Sequence, residues 1–283
     1  MRFLKTMKKI INFTPTGTQP TKENSLAPLE LNEIIEEVHQ AYEIGISITH
    51  IHARDPETFS NTYKKEIYGQ IIQGIRKYCP ELLVCASLTG RNFPEFSQRT
   101  EVLECLPDMG SLTMSSLNFP SGTSTNQPEM ILNLISKMGE YGVQPEIECF
   151  DSGMVNYTKY LISKNILKPP FYMNVILGNI YNAQSDLNSL AAIKSAIPHN
   201  VTTCIGGIGN HQLKSNIIGL LEFDGIRIGL EDNLYYKGKI KATNIELLKR
   251  AYRIMDELEM ECVSSKELRE NGYGNKLIDS RER

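Results

Sequence analysis

Two histidines one residue apart open the chemical reading of this chain. The run Thr49-His50-Ile51-His52-Ala53-Arg54-Asp55 carries them at the end of a short β-rich stretch. Side chains at i and i+2 of a strand share a face, with α-carbons roughly 6.5 Å apart, so both imidazoles can converge on one metal ion. A lone histidine is more often a hydrogen-bonded core residue, but a His-x-His pair at a strand's carboxyl end favours a metal. Two ligands are too few for a catalytic zinc-type site, which commonly takes about three and leaves a position open. The third must come from another strand end. The run Gly225-Ile226-Arg227-Ile228-Gly229-Leu230-Glu231-Asp232-Asn233 offers three charged side chains at such a place. A solvated loop would explain Asp232 and Asn233 but not Arg227, because an arginine buried within a strand needs a partner.

These residues need elements to hold them. Strands are predicted over 10–13, 46–52, 82–87, 109–114, 145–149, 171–176, 201–205 and 225–228, and helices over 31–44, 67–78, 96–106, 129–141, 154–164, 186–197, 213–221 and 244–258. In the first helix Leu31, Ile34, Ile35, Val38 and Tyr42 fall on one face, and Gly45 stands as its C-cap. Regular alternation of strand and helix demands a parallel sheet with crossovers, and eight such units favour a closed (β/α)8 TIM barrel over an open doubly wound sheet. The carboxyl ends of barrel strands form the active-site face. His50 and His52 are therefore expected in the barrel mouth.

Composition narrows the function classes. The 283 residues are 41% hydrophobic and 22% charged, with a net charge of -3, as expected for a soluble globular protein with a large core. Length alone permits one large domain or two ordinary ones; with the count of strand and helix units it is read as one barrel domain over 1–283, with the polar segment 264–283 either a frayed tail or an oligomerisation arm. Lys+Arg at 30 against Asp+Glu at 33 leaves no basic footprint for nucleic acid or an anionic membrane, so small molecules are the expected partners. No run approaches the ~20 apolar residues of a membrane span, and the apolar Ile10-Ile11 is too short for a secretory leader. Six cysteines without a C-x-x-C pair read as reduced thiols in a cytoplasmic protein.

The chain closely resembles the β-keto acid cleavage enzymes, the family that includes 3-keto-5-aminohexanoate cleavage enzyme. The resemblance runs from Phe13-Thr14-Pro15-Thr16-Gly17 to Glu231-Asp232-Asn233-Leu234-Tyr235. It is carried by His50-x-His52-x-Arg54, Ser116-Leu117-Asn118-Phe119, Pro145-Glu146-Ile147-Glu148 followed by Ser152-Gly153-Met154, and the Arg227 to Asn233 run. It implies a (β/α)8 barrel, often a homotetramer, with Zn2+ or another divalent metal held at His50, His52 and Glu231. It implies acetyl-CoA or a related acyl-CoA as cosubstrate, converting a β-keto acid into acetoacetate and a new acyl-CoA by Claisen and retro-Claisen steps. Asp232 matches the base that removes the C2 proton, with Arg227 holding it charged and oriented. Ser87, Gly90, Ser116 and Asn118 match substrate-binding positions.

The glycine-rich turn Gly206-Gly207-Ile208-Gly209-Asn210 follows the seventh strand and is read as a CoA phosphate contact. Two departures from the family pattern stand out. Asn210 occupies a place where many members carry arginine. Gln19 occupies the place of a glutamate that recognises a substrate amino group, which favours a neutral or anionic β-keto acid over a cationic one. The rival reading from another reaction class is a metal-dependent hydrolase of the amidohydrolase type, which needs further histidines; of His39, His199 and His211, His211 alone could reach the barrel mouth. A third reading, a ligand-binding or structural barrel, would leave Arg227 and Asp232 unused.

Overall fold

Residues 7–279 are described by a computed structural model. Eight parallel strands close into a barrel: β1 (Met7–Phe13), β2 (Ile48–Ile51), β3 (Leu83–Ala86), β4 (Met109–Thr113), β5 (Gln144–Cys149), β6 (Phe171–Leu177), β7 (Val201–Gly207) and β8 (Gly225–Ile228). Each is hydrogen-bonded to its sequence neighbours, and β8 returns to β1 with Asn12 beside Arg227. Helices α1 (Leu31–Ile44), α2 (Lys65–Tyr78), α3 (Phe96–Thr100), α4 (Pro128–Glu140), α5 (Ser152–Ser163), α6 (Leu187–Ala196), α7 (Gln212–Glu222) and α8 (Asn244–Glu257) follow the strands in turn. The expected barrel is the observed one. The third predicted helix is shorter than its apolar spacing suggests: it tightens to a 3-10 turn over Glu101–Cys105 and ends where Leu106 turns left-handed.

The two-residue period of the strands sorts the side chains. Ile11, Phe13, Ile51, Val84, Ala86, Ile147, Val175, Ile205 and Ile226 join the outer core against the helices. Ile10, Ile48, Leu83, Met109, Tyr172 and Cys204 belong to a separate inner cluster. Moving along the strands toward their carboxyl ends, the inward positions become polar: Asn12, His50, Glu146 and Arg227, all buried. The barrel is thus apolar at one end and chemically functional at the other. Burial in the barrel raises the energetic stakes for every polar group placed there.

The carboxyl-terminal segment, left open by the sequence as tail or arm, lies over residues 264–279 against the barrel's own amino-terminal end; 280–283 fall outside the described residues. Strand β9 (Met260–Cys262) pairs in parallel with Met7–Lys9, and helices α9 (Ser265–Glu270) and α10 (Lys276–Asp279) follow. Leu268 and Tyr273 pack into the inner apolar cluster. Asn275 donates to Pro107 O and Tyr141 O, and Arg269 reaches Asp108. This plug closes the end of the barrel opposite the histidines. No helix among the described residues is long and apolar enough to cross a membrane.

Candidate active site

His50 points inward from β2 and His52 follows directly after its end. Their Nε2 atoms face each other at 3.2 Å, and His52 Nε2 lies 3.2 Å from Glu231 Oε1. Glu231 Oε2 is 3.8 Å from His50 Nε2, buried, and without a hydrogen-bond partner among the described residues. A tetrahedral ion with bonds of about 2.1 Å separates its ligand atoms by roughly 3.4 Å, so the three spacings suit one cation between them.

Glu146 from β5 sets the chemical state of His50. Its Oε2 accepts from His50 Nδ1 at 2.5 Å, while Asn12 Nδ2 donates to Oε1 at 2.5 Å and the Cys85 thiol to Oε2 at 3.1 Å. With the proton held at Nδ1, a neutral His50 presents the lone pair of Nε2, the form that ligates a metal. His50, Cys85 and Glu146 also cluster closely enough to suggest a second cation site. Burial and the neighbouring Glu146 push the Cys85 thiol well above its ordinary range, however, so it stays protonated and donates. That trio supports His50 rather than holding an ion.

Charge balance points the same way. Arg227 Nη2 is 2.7 Å from Glu231 Oε1, its Nε 2.9 Å from Asp232 Oδ2, and its Nη1 3.4 Å from Glu148 Oε1. One guanidinium thus serves three carboxylates, with Glu146 a fourth at 4.0 Å. Without metal, His50 makes up part of the deficit: burial opposes its protonation, but Glu231 and Glu146 outweigh burial and bring it to about 9. Burial lowers His52 to about 4 against the pull of Glu231, leaving it neutral and able to ligate. For Asp232 burial is the larger influence and raises the carboxyl above its usual range, with Arg227 opposing. A buried, anion-rich pocket with inward lone pairs is chemically suited to a divalent cation.

Local backbone makes the convergence sterically feasible. Gly17 has φ +76°, and a Cβ there would lie 2.4 Å from Glu231 Cγ. Arg54 donates to Gly17 O and, at 3.2 Å, to Phe59 O, clamping the loop after β1. Thr16 Oγ1 accepts from the His52 backbone N–H at 3.1 Å. Asn244, at the start of α8, accepts from Leu230 N at 2.7 Å and donates to Pro15 O at 2.9 Å, tying the loops after β8 and β1 together.

A cavity of about 250 Å³ opens beside this cluster. Its wall includes His50, His52, Arg227, Glu231 and Asp232, faced by Phe119, Phe150, Ile176 and Ile208. Ser87 lines it, whereas Gly90, Ser116 and Asn118 do not. Gly90 is pressed against Thr125 O and Arg99, Ser116 Oγ accepts from Asn126 N at 2.8 Å, and the Asn118 carboxamide accepts from Thr123 at 2.8 Å. The glycine turn after β7 is engaged within the protein: Ile208 N donates to Leu177 O, and Gly209 N to Asp232 O at 2.7 Å. Gly206 leaves room for the Arg227 stem, 3.2 Å from where its Cβ would stand. Glu148 and Arg91 also line the cavity, although the sequence reading gave neither a role. Period-two alternation from Glu146 would have exposed Glu148; nothing in the local sequence would have marked Arg91.

His211 is bonded to Ser185 Oγ through Nδ1 at 2.7 Å, and His39 stacks on Tyr78. Neither joins His50 and His52, and His199 lies just before β7, near Lys9 and Asp224 at the amino-terminal end of the barrel, so the amidohydrolase alternative loses its further histidines.

Fold and site together define a (β/α)8 enzyme with a polar constellation at the carboxyl ends of its strands. The chain belongs to the β-keto acid cleavage enzyme family, whose model matches residues 8–271. It is 31% identical to a 3-keto-5-aminohexanoate cleavage enzyme of Fusobacterium nucleatum, over 93% of this chain and 97% of that one. It is 29% identical to a 3-dehydrocarnitine:acetyl-CoA trimethylamine transferase of Rhizobium meliloti, over 90% and 92%. The apo structure of ObcA superposes with a TM-score of 0.73 at 18% identity, covering 88% of this chain and 66% of the other, a likeness of fold.

Proposed function

We propose that this enzyme exchanges acyl groups between a β-keto acid and acetyl-CoA, yielding acetoacetate and a new acyl-CoA, with a divalent metal of the zinc type held by His50, His52 and Glu231. The observation that carries the proposal is the meeting of three inward donor atoms with the Arg227–Asp232 pair on one wall of a cavity. When bound, such an ion supplies Lewis acidity toward the keto oxygen and carboxylate of the substrate.

Asp232 receives the C2 proton, and Arg227 fixes which carboxylate oxygen is turned to it through the 2.9 Å contact with Oδ2. The exposed carbon bonds to the thioester carbonyl as the C–S bond breaks. The thiolate then adds to the original keto carbon, the C2–C3 bond breaks, and Asp232 returns its proton to acetoacetate. No oxidant or reductant is consumed. Ser87 contributes a hydroxyl to the cavity wall for the substrate's polar end, and the apolar wall keeps water from the thioester. The acetyl-CoA-dependent relative supports the cosubstrate. The six free cysteines support a reducing, cytoplasmic setting, and the family resemblance supports a homotetramer, which sedimentation would measure.

Acetyl-CoA carrying 13C in both acetyl carbons tests the exchange. Label should enter C3 and C4 of acetoacetate, with the new acyl-CoA unlabelled. Free acid and CoA without a new thioester would instead leave hydrolysis, and the proposal would fall.

A further inference from the structure

Among the described residues, Arg91 is the one cavity-lining cation that the chemistry above leaves unused. It follows Gly90 in the loop after β3 and lines the same cavity as Asp232 and Glu231. Its guanidinium lies 3.6 Å over the Phe119 ring, and Nη1 donates to Thr18 Oγ1 at 2.7 Å. Nε is buried without a hydrogen-bond partner among the described residues. Among the described residues no carboxylate lies within 4.0 Å of it, whereas Arg227 in the same cavity has several.

A stacked, singly tethered guanidinium has its orientation fixed before any ligand arrives. Its face is against Phe119 and one corner is on Thr18, so the Nε edge is left to meet an acceptor. That edge of an arginine matches a carboxylate bidentately. Burial works against the charged form of Arg91, and the site carboxylates that favour it act without touching it. A half-buried cation left with a hydroxyl, a ring and a buried, unmatched Nε–H gains from a ligand that completes it. Gln19, on the same cavity wall, is neutral and donates to Ser121 Oγ at 3.0 Å.

Resting on the exchange reaction proposed above, we infer that Arg91 binds a second carboxylate at the far end of the substrate, making the substrate class a β-keto acid with two carboxylates. The carboxylate adjacent to the reacting carbon would face the His50, His52 and Glu231 cluster, and the remote one Arg91. Anionic phosphates of CoA are the other source of such a ligand, and kinetics separate the two.

The experiment measures kcat/KM with acetyl-CoA for two β-keto acids of equal chain length, one ending in carboxylate and one in methyl, in the wild type, R91Q and R91K. Wild type should prefer the diacid. R91Q should lower the diacid-to-monoacid ratio by about 10- to 100-fold, as expected for loss of a charge-assisted pair. R91K, keeping charge without the fork, should retain part of that ratio, and circular dichroism and metal content check that both variants are folded. A wild type that turns over the methyl-terminated acid as well as the diacid would overturn the inference while leaving the exchange reaction standing. So would an R91Q that raises KM for acetyl-CoA equally with both acids, which would assign Arg91 to the CoA phosphates. Absence of acetoacetate from either acid would overturn both.

Discussion

Replacing Glu146 tests whether the metal site is built by its support as well as by its ligands. Glu146 is fully buried and accepts from three donors: His50 Nδ1, Asn12 Nδ2 and the Cys85 thiol. In Glu146→Gln, one oxygen becomes an NH2 group. If that NH2 faces Asn12, the Asn12 amide can turn, since its Oδ1 has no partner among the described residues, at the expense of its 3.1 Å contact from Nδ2 to the Tyr172 hydroxyl. His50 then keeps an acceptor and loses only the charge. If it faces His50, the imidazole must accept through Nδ1, and Nε2 carries the proton that blocks a metal. Glu146→Ala removes every acceptor. Partners of this kind are worth about 10- to 100-fold in metal affinity, or roughly 1.4–2.8 kcal/mol. Glu146→Gln is expected near the lower figure and Glu146→Ala near the upper. Competition against a chromophoric zinc chelator reads the affinity directly, with thermal melting as the check on folding. A folded Glu146→Ala that binds zinc within about threefold of wild type would refute the reasoning, because His50 would then need no partner to present its lone pair.

Asp232→Asn should lower kcat by about 10²–10⁴-fold while zinc remains bound, since only the proton acceptor is lost; unchanged turnover in single-turnover assays would place the base elsewhere. Gly17→Ala forces a left-handed residue and a Cβ 2.4 Å from Glu231 Cγ, so unfolding titrations should show a loss of about 1–3 kcal/mol, with weakened zinc binding; a variant retaining wild-type affinity would show that Glu231 can move freely. Glu37, which accepts from Asn244 Nδ2 at 3.0 Å, is raised by burial to about 7. Its folded pKa lies above the unfolded value, so its contribution to stability is complete below about pH 4.5 and is lost as pH rises through 7. Glu37→Gln should therefore remove about 1–3 kcal/mol of the fall in stability between pH 5 and 8. Urea titrations showing equal falls in wild type and variant would contradict this.

The barrel was legible because its strands and helices repeat with different periods, and the histidine pair because its members stand two residues apart, His50 on β2 and His52 just past its end. Glu231 is 179 positions from His52 and Glu146 is 96 from His50, separations across which only the closed sheet sets distance. Ser87 stands just past the end of β3 and keeps the strand's inward direction. Gly90 and Ser116 lie in loops and Asn118 in a short hairpin strand outside the barrel, paired with Thr123, where the period of the barrel strands no longer says where a side chain points, and each makes other contacts. Arg91 is hidden for the same reason. The segment 264–279 reads as polar because its polar side chains meet backbone carbonyls at the barrel's closed end, partners that leave no pattern of their own in sequence.

The central claim is that one divalent metal at His50, His52 and Glu231 is needed for the exchange. Its most direct test follows acetoacetate formed from a panel of β-keto acids and acetyl-CoA, using enzyme stripped by chelator and then reloaded with zinc. Formation should vanish on stripping and return in proportion to zinc, saturating at about one ion per chain. Undiminished acetoacetate formation by folded enzyme whose measured metal content is near zero would contradict the account.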